Sequence, residues 1–343
     1  MPDNIAAKLL HWYDVSARDL PWRARPGANA PEPYRVWLSE VMLQQTQVAT
    51  VIPYFEKFLG AWPSFEAMAA ADDAEVMSAW AGLGYYARAR NMLACAREVA
   101  ARGMPDTEAG LRALPGVGDY TAAAIAAIAF GQRAVVVDGN VERVVARLFA
   151  VSDPLPGAKP RIKALAGRIT PDARAGDFAQ AMMDLGSGIC TPRAPRCLLC
   201  PLRGACAGFA SGDPQAFPVK AKKVASPQRH GTIFWAERDG RVLLVRRPAK
   251  GLLGGMRALP TGPWADAPPG LADAPLPADW RMLDAGIVHV FTHFRLDCAL
   301  AVATIGAQEA AQGEWWPVAE IESAGLPTIF AKAARVFGRL RCE

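Results

Sequence analysis

Apolar positions recur at helical spacing through the first two-thirds of the chain and at strand-like spacing thereafter. Ile5–Val15 is amphipathic. Tyr34–Leu59 carries Val36, Trp37, Leu38, Val41 and Met42 in a helical pattern that Pro53 is expected to interrupt. Leu93–Ala101, Thr121–Phe130 and Val141–Ala150 also predict helices. Between them stand Pro26-Gly27, Gly82-Leu83-Gly84, Pro115-Gly116, Asp138-Gly139 and Pro154–Gly157, each a turn signal. After residue 228 the pattern changes to short runs of β-branched, leucine and aromatic residues: Gly231–Glu237, Arg241–Arg246, Ile287–Phe291 and Phe294–Ile305. Asp239-Gly240 between the first two predicts a hairpin, and Pro327–Leu340 reads as a closing helix. Residues 262–279, rich in Pro, Ala and Asp, read as a surface loop.

The pattern predicts a multidomain chain: an all-α region over 1–210, a Pro- and Lys-containing linker over 211–228, and a smaller α/β domain over 229–343. A length of 343 residues accommodates two domains. With 52% hydrophobic and 21% charged residues, the chain can bury a core. The longest strongly apolar run, Ala122–Phe130, is too short for a membrane helix, and no basic-then-apolar leader opens the sequence. These features predict a soluble, cytoplasmic, monomeric protein, at the nucleoid if the source is a bacterium. The net charge of +5 permits a nucleic-acid partner without demanding one.

Of seven cysteines, four fall in one short stretch with the spacing C-x6-C-x2-C-x5-C: Cys190, Cys197, Cys200 and Cys206. Four thiolates satisfy either a tetrahedral zinc ion or a four-iron cluster, and spacing does not choose between them. Leu114–Gly118, LPGVG, joins two helical stretches. Gly116 and Gly118 permit a tight turn that presents a helix N-terminus to an anion such as a DNA phosphate, gripped without reading sequence.

Two carboxylates have contrasting surroundings. Glu40 lies in a helix among Val36, Trp37, Val41 and Met42, where burial favours the protonated acid. Asp138 precedes the helix near Val141, where it can cap N–H groups at the positive end of the dipole. An acid paired with an anion suits cleavage of a glycosidic bond: one protonates the leaving group while the other stabilises an oxocarbenium-like transition state.

Several motifs occur in order: LPW at Leu20–Trp22, SEVMLQQTQV at Ser39–Val48, GLGYYARARN at Gly82–Asn91, LPGVG, DGN at Asp138–Asn140, and the cysteine tail. Together they resemble the adenine DNA glycosylases of MutY type, in the helix–hairpin–helix superfamily. The resemblance covers most of residues 1–210. It implies a [4Fe–4S] cluster on the four cysteines, proton delivery to adenine by Glu40, and stabilisation of the sugar cation by Asp138. It places Tyr120 and Asn140 as supports for these carboxylates. Arg18, Leu20, Trp22 and Gln180 would line the pocket for a flipped adenine, and Gln45 and Tyr85 would enter the base stack it leaves. The bond to be cut is inaccessible inside a duplex, so the base must be extruded. Where the sister endonuclease III family carries a Schiff-base lysine, this chain has Tyr120, which implies a monofunctional enzyme that leaves an abasic site.

Residues 230–343 resemble the Nudix-like domain of the same family. Gly251–Pro260, GLLGGMRALP, is similar to the start of a Nudix box, but no acidic magnesium-binding segment follows. The resemblance implies a recognition module for 8-oxoguanine opposite the adenine, with Phe291, Thr292 and His293 as its loop. Thr292 stands where serine is more usual in the family. The expected partner is therefore double-stranded DNA with an adenine:8-oxoguanine or adenine:guanine mispair.

Overall fold

The computed structural model describes residues 2–221, 227–248, 251–291, 293–306 and 311–340. It divides into two units, Met1–Lys222 and Lys223–Glu343. Among the described residues no helix is long and apolar enough to cross a membrane.

The first unit is helical: α1 (Pro2–Ser16), α2 (Pro33–Leu43), α3 (Val48–Ala61), α4 (Phe65–Ala70), α5 (Asp73–Ala79), α6 (Tyr86–Arg102), α7 (Glu108–Arg112), α8 (Asp119–Ile128), α9 (Gly139–Leu148), α10 (Lys159–Ile169), α11 (Ala175–Gly188) and α12 (Ala207–Ala210). It has two apolar cores. One gathers Trp37, Leu38 and Met42 of α2, Phe55 and Phe58 of α3, Met92 of α6 and most of α8. The other gathers Leu9 and Tyr13 of α1, Val141, Val144 and Leu148 of α9, Ile162 of α10 and Met182 and Leu185 of α11. Met183 packs against both. The alanines of α8 are all buried, and their small size lets α2 and α11 pack closely on it.

Two expectations change. The break in Tyr34–Leu59 comes at Gln44–Gln47, not at Pro53, which lies within α3. Gln45 there adopts a left-handed φ of 58°, which no helix continues through. Pro53 is the sixth residue of α3, past the first turn, so α3 forgoes the hydrogen bond that an N–H there would give to the Ala49 carbonyl. The helical unit also extends past residue 210 into the expected linker. Leu155 N–H donates to the Val219 carbonyl at 2.9 Å, Phe217 packs on the second core, and Arg147 Nε donates to the Phe217 carbonyl at 3.0 Å. Residues 222–226 of that linker lie outside the described residues.

The second unit is a mixed sheet of β1 (Gln228–Arg238), β2 (Arg241–Arg246), β3 (Arg257–Ala258), β4 (Arg281–Val290), β5 (Arg295–Thr304) and β6 (Glu314–Pro317), closed by α13 (Thr328–Leu340). Strands run in the order β3-β2-β1-β5-β4, with β6 also on β2. β1 and β5 are parallel, and β1–β2 is the hairpin predicted at Asp239-Gly240. The alternating residues Ile233, Trp235, Leu296, Cys298 and Leu300 face Ile329, Phe330 and Phe337 of α13, while Ala236, Leu243 and Ala303 pack with Leu276 and Trp280 on the other side. Residues 262–279 form the expected loop, tied to β1 by Thr261 and Ala265. β4 ends the sheet, and its pairing with β5 is irregular between Met282 and Gly286.

Candidate active site

A cleft of about 750 Å³ opens in the helical unit, a volume suited to a nucleoside-sized ligand. Ten of the residues singled out in the sequence line it: Arg18, Leu20, Trp22, Glu40, Gln45, Tyr85, Tyr120, Asp138, Asn140 and Gln180. They come from segments far apart in sequence: α2 and α8 belong to the first core, α9 to the second, and α11 contributes to both, packing on α8 and on α9.

Glu40 is 6% exposed, on the face of α2 that its apolar neighbours bury. Burial pushes its carboxyl up to about 7, reinforced by negative Asp138 and opposed by a hydrogen bond from Tyr120 and the charge of Arg23. Tyr120, on the first turn of α8, is held well above the usual phenol range by burial and then by the charge of Glu40. Its hydroxyl also lies 3.7 Å from Met183 Sδ.

Asp138 is the N-cap of α9. One oxygen accepts from Val141 N–H at 2.7 Å and the other from Asn140 Nδ2 at 2.9 Å. Asn140 is pinned in turn. A Cβ on Gly186 of α11 would meet Asn140 Cβ at 2.7 Å, so glycine is needed for this approach. Arg143, one turn along α9, donates to Asn140 Oδ1 at 2.9 Å, to the Gly186 carbonyl at 2.6 Å and to the Cys190 carbonyl at 2.7 Å.

Arg18 and Arg23, which line the cleft, meet at a carboxylate that the sequence motifs do not mark. Asp184, 4% exposed, takes both Arg23 nitrogens, Nη1 at 2.7 Å and Nη2 at 3.0 Å, and Arg18 Nε at 2.6 Å. Asp184 stands one turn beyond Gln180 on α11, and nothing in its neighbouring sequence marks it as the partner of two arginines. Arg23 adjoins the LPW motif. Leu20 and Trp22 supply apolar wall, Trp22 resting edge-on against Phe55 at 5.3 Å.

Three groups of predicted residues lie outside the cleft. Gly116 turns the hairpin at φ 75°, and a Cβ there would press on Asn91 Cβ at 2.7 Å. Gly118 is the N-cap of α8 and brings no side-chain acceptor. Cys190, Cys197, Cys200 and Cys206 line a separate hollow of about 30 Å³. Among the described residues no three His, Cys, Asp or Glu side chains are placed to hold a single metal ion. Four thiols around one hollow are a donor set that a four-iron cluster fits. Burial pushes the Cys200 thiol up to about 11, so four thiolates here need strong compensating charge. Arg147, 2% exposed, offers part of it, with Nη1 3.3 Å from Cys190 Sγ and donating to the Thr191 carbonyl at 2.7 Å. In the sheet unit, His293 is exposed beside a turn closed by Phe291 N–H to the Phe294 carbonyl at 2.9 Å, with Trp264 stacked on Phe291 at 5.3 Å. Thr292 lies outside the described residues.

Residues 38–170 match the HhH-GPD superfamily of base excision DNA repair proteins, and residues 232–335 match the NUDIX domain. The adenine DNA glycosylase of Homo sapiens is 35% identical, covering 96% of this chain and 73% of that one. That of Mycolicibacterium smegmatis is 42% identical over 60% of this chain and 71% of its own length. Among solved structures, a thermostable thymine-DNA glycosylase superposes with a TM-score of 0.55 at 28% identity, over 61% of this chain and 97% of that one. A trapped endonuclease III–DNA covalent intermediate shares the helical fold, with a TM-score of 0.51 at 22% identity over 62% of this chain and 98% of that one. A helical core and a Nudix-like domain in one chain, and relatives that align through both, make this enzyme a member of the adenine DNA glycosylase family.

Proposed function

We propose that this enzyme excises adenine paired with 8-oxoguanine or guanine in duplex DNA, leaving an abasic site. The observation that carries the reading is the convergence of Glu40, Tyr120 and Asp138 in one cleft, with Glu40 pushed up to about 7 and Asp138 fixed at a helix N-terminus.

The extruded adenine enters between Leu20 and Trp22, and Arg18 and Gln180 meet its polar edge. Below pH about 7 Glu40 holds a proton. It delivers that proton to a ring nitrogen as the C1′–N9 bond breaks and the bonding electrons pass to the base. The sugar is left as an oxocarbenium-like cation, and Asp138, held by Val141 N–H and Asn140, supplies the opposing charge. Water then adds at C1′ and gives up a proton to the cleft carboxylates. Tyr120 hydrogen-bonds Glu40 and offers no amine for a Schiff base, so the strand is not cut. Gly116 and Gly118 bring the start of α8 to a DNA phosphate.

Cys190, Cys197, Cys200 and Cys206 would hold a [4Fe–4S] cluster, which supplies a cationic core that ties the 190–206 loop together. Arg143 links the first of these residues to Asn140 and so to Asp138. In the sheet unit, Thr292 and His293 read the base opposite the adenine. 8-Oxoguanine carries an N7 proton where guanine has an acceptor, a change a hydroxyl and an imidazole register.

The test is single-turnover release of adenine from duplexes with 8-oxoguanine, guanine or thymine opposite, with alkali to reveal the abasic site. The reading expects the order 8-oxoguanine, guanine, thymine and no strand break before alkali. Equal rates on all three, or breaks without alkali, contradict it. Metal analysis expects about four irons per chain, and one zinc per chain contradicts the cluster.

A further inference from the structure

Gln45 and Tyr85 stand on different turns, one between α2 and α3 and one at the start of α6. Neither is glycine, yet both hold left-handed backbone, at φ 58° and φ 48°. That conformation is disfavoured for any residue with a Cβ. Both side chains are exposed, Tyr85 at 63%, so burial of the side chains does not hold the turns in place.

One guanidinium reaches both turns. Arg88 Nη1 donates to the carbonyls of Met42 at 3.0 Å, Val41 at 3.4 Å and Gln44, all at the C-terminal end of α2 where helical partners run out. Arg88 Nη2 donates to Thr46 Oγ1 and to the Leu83 carbonyl, each at 3.1 Å. The residues on either side of Gln45 and the turn that leads into Tyr85 therefore meet on one planar fork. The same group lies over the rings of Trp80 at 5.3 Å and Tyr85 at 5.4 Å. Trp80 Nε1 closes the assembly by donating to the Gly84 carbonyl at 2.9 Å.

We infer that Arg88 is a positioning residue that fixes Gln45 and Tyr85 as one pre-formed wedge, so that base extrusion does not wait for two turns to order. The inference rests on the reading above that these two side chains enter the base stack. Lysine cannot replace it, because an ammonium is a point donor without the fork that spans two turns.

The experiment follows extrusion directly. A duplex with 2-aminopurine in place of the target adenine, whose fluorescence rises on unstacking, is mixed rapidly with the full-length protein. The variants are Tyr85→Leu, Arg88→Met, their double variant, and Arg88→Lys as the milder change that keeps a cation over Trp80. Thermal melts run alongside, and variants with matched melting temperatures are compared. Tyr85→Leu and Arg88→Met are each expected to slow extrusion about ten- to a hundredfold, with Arg88→Lys still slowed. The double variant is expected within about threefold of the slower single, the signature of two residues acting through one device. Slowing that multiplies in the double variant assigns Arg88 a general structural role and overturns the proposal. Slow extrusion by Tyr85→Leu alone, with both Arg88 variants at the wild-type rate, also overturns it while leaving the wedge reading intact. Wild-type extrusion by every variant sinks the wedge reading and the proposal with it.

Discussion

The two units bury different things. Among the described residues, the buried charged side chains, Glu40, Arg147 and Asp184, all belong to the helical unit. The core of the sheet unit is almost wholly apolar, with Thr232 bonded to the Gly270 carbonyl at 2.6 Å as its buried polar group. A buried charge is costly unless partners meet it. The helical unit supplies those partners from remote segments, as Asp184 does by taking two arginines more than 160 residues away in sequence. Such a cleft can shift a carboxyl into the range useful for proton transfer. The sheet unit leaves His293 at the surface instead.

The contrast breaks most sharply at Glu40. Glu40→Gln keeps size and burial but cannot hold the acidic proton, so excision should fall about 10²–10⁴-fold while DNA affinity changes little. Single-turnover rates beside a binding titration check it, and excision near wild type removes Glu40 from its role. Next in size is Asp184→Asn, which leaves Arg23, 7% exposed, without its buried counter-charge, while Arg18, 39% exposed, turns to solvent. Loss of about 3–5 kcal/mol of stability is expected, as for any buried pair broken on one side. Denaturant midpoints at pH 7 measure it, and a loss below 1 kcal/mol would mean the pair is effectively solvated.

Removing the sheet unit sharpens the comparison from the other side. A chain ending at Ser226 keeps every residue of the cleft and all four loop cysteines, so it should still release adenine. Its preference for 8-oxoguanine over guanine should fall about ten- to a hundredfold, the worth of one good polar contact of about 1–3 kcal/mol. An unchanged ratio would place the discrimination in the helical unit. The smallest effect is on melting. The folded Glu40 carboxyl, pushed up to about 7 from an ordinary 4.5, binds its proton more tightly than the unfolded chain does. Its contribution is therefore most favourable below pH 4.5 and declines as pH rises through 7. Glu40→Gln has no charge to bury and should melt above wild type at pH 8, by about 2–4 °C per kcal/mol relieved. The gap should close towards pH 4.5, and a gap that does not depend on pH would contradict the raised value.

Local chemistry made part of this legible in sequence. Glu40 among apolar helix residues and Asp138 before a helix both carry their environment in their neighbours, and the four cysteines carry theirs in spacing. The hairpin at Asp239-Gly240 and the helices through Val141 followed from period and turn residues. Arg23, Asp184, Arg88 and Arg143 were not legible, because each acts through partners that tertiary packing brings together. An arginine in a helix reads as a solvated face until carbonyls from another turn surround it. The break after α2 escaped for a related reason. The apolar period runs on across it, and what stops the helix is Gln45's backbone, braced by that distant arginine.

Among the described residues β4 pairs on one side only, with β5, and its other edge bears on how the protein behaves in concentrated solution. A terminal strand offers unpaired N–H and C=O groups as a template on which a further strand can grow. Here Val288 and Val290 are exposed at 44% and 69% along it, which makes Gly286–Val290 a stretch on which aggregation can seed. Two features blunt it. The irregular pairing between Met282 and Gly286 interrupts the strand before it runs long and flat, and Asp284 sets a charge within the interruption. Replacing Asp284 with an apolar residue would lengthen the adhesive run, and light scattering on heating would show its consequence long before activity did.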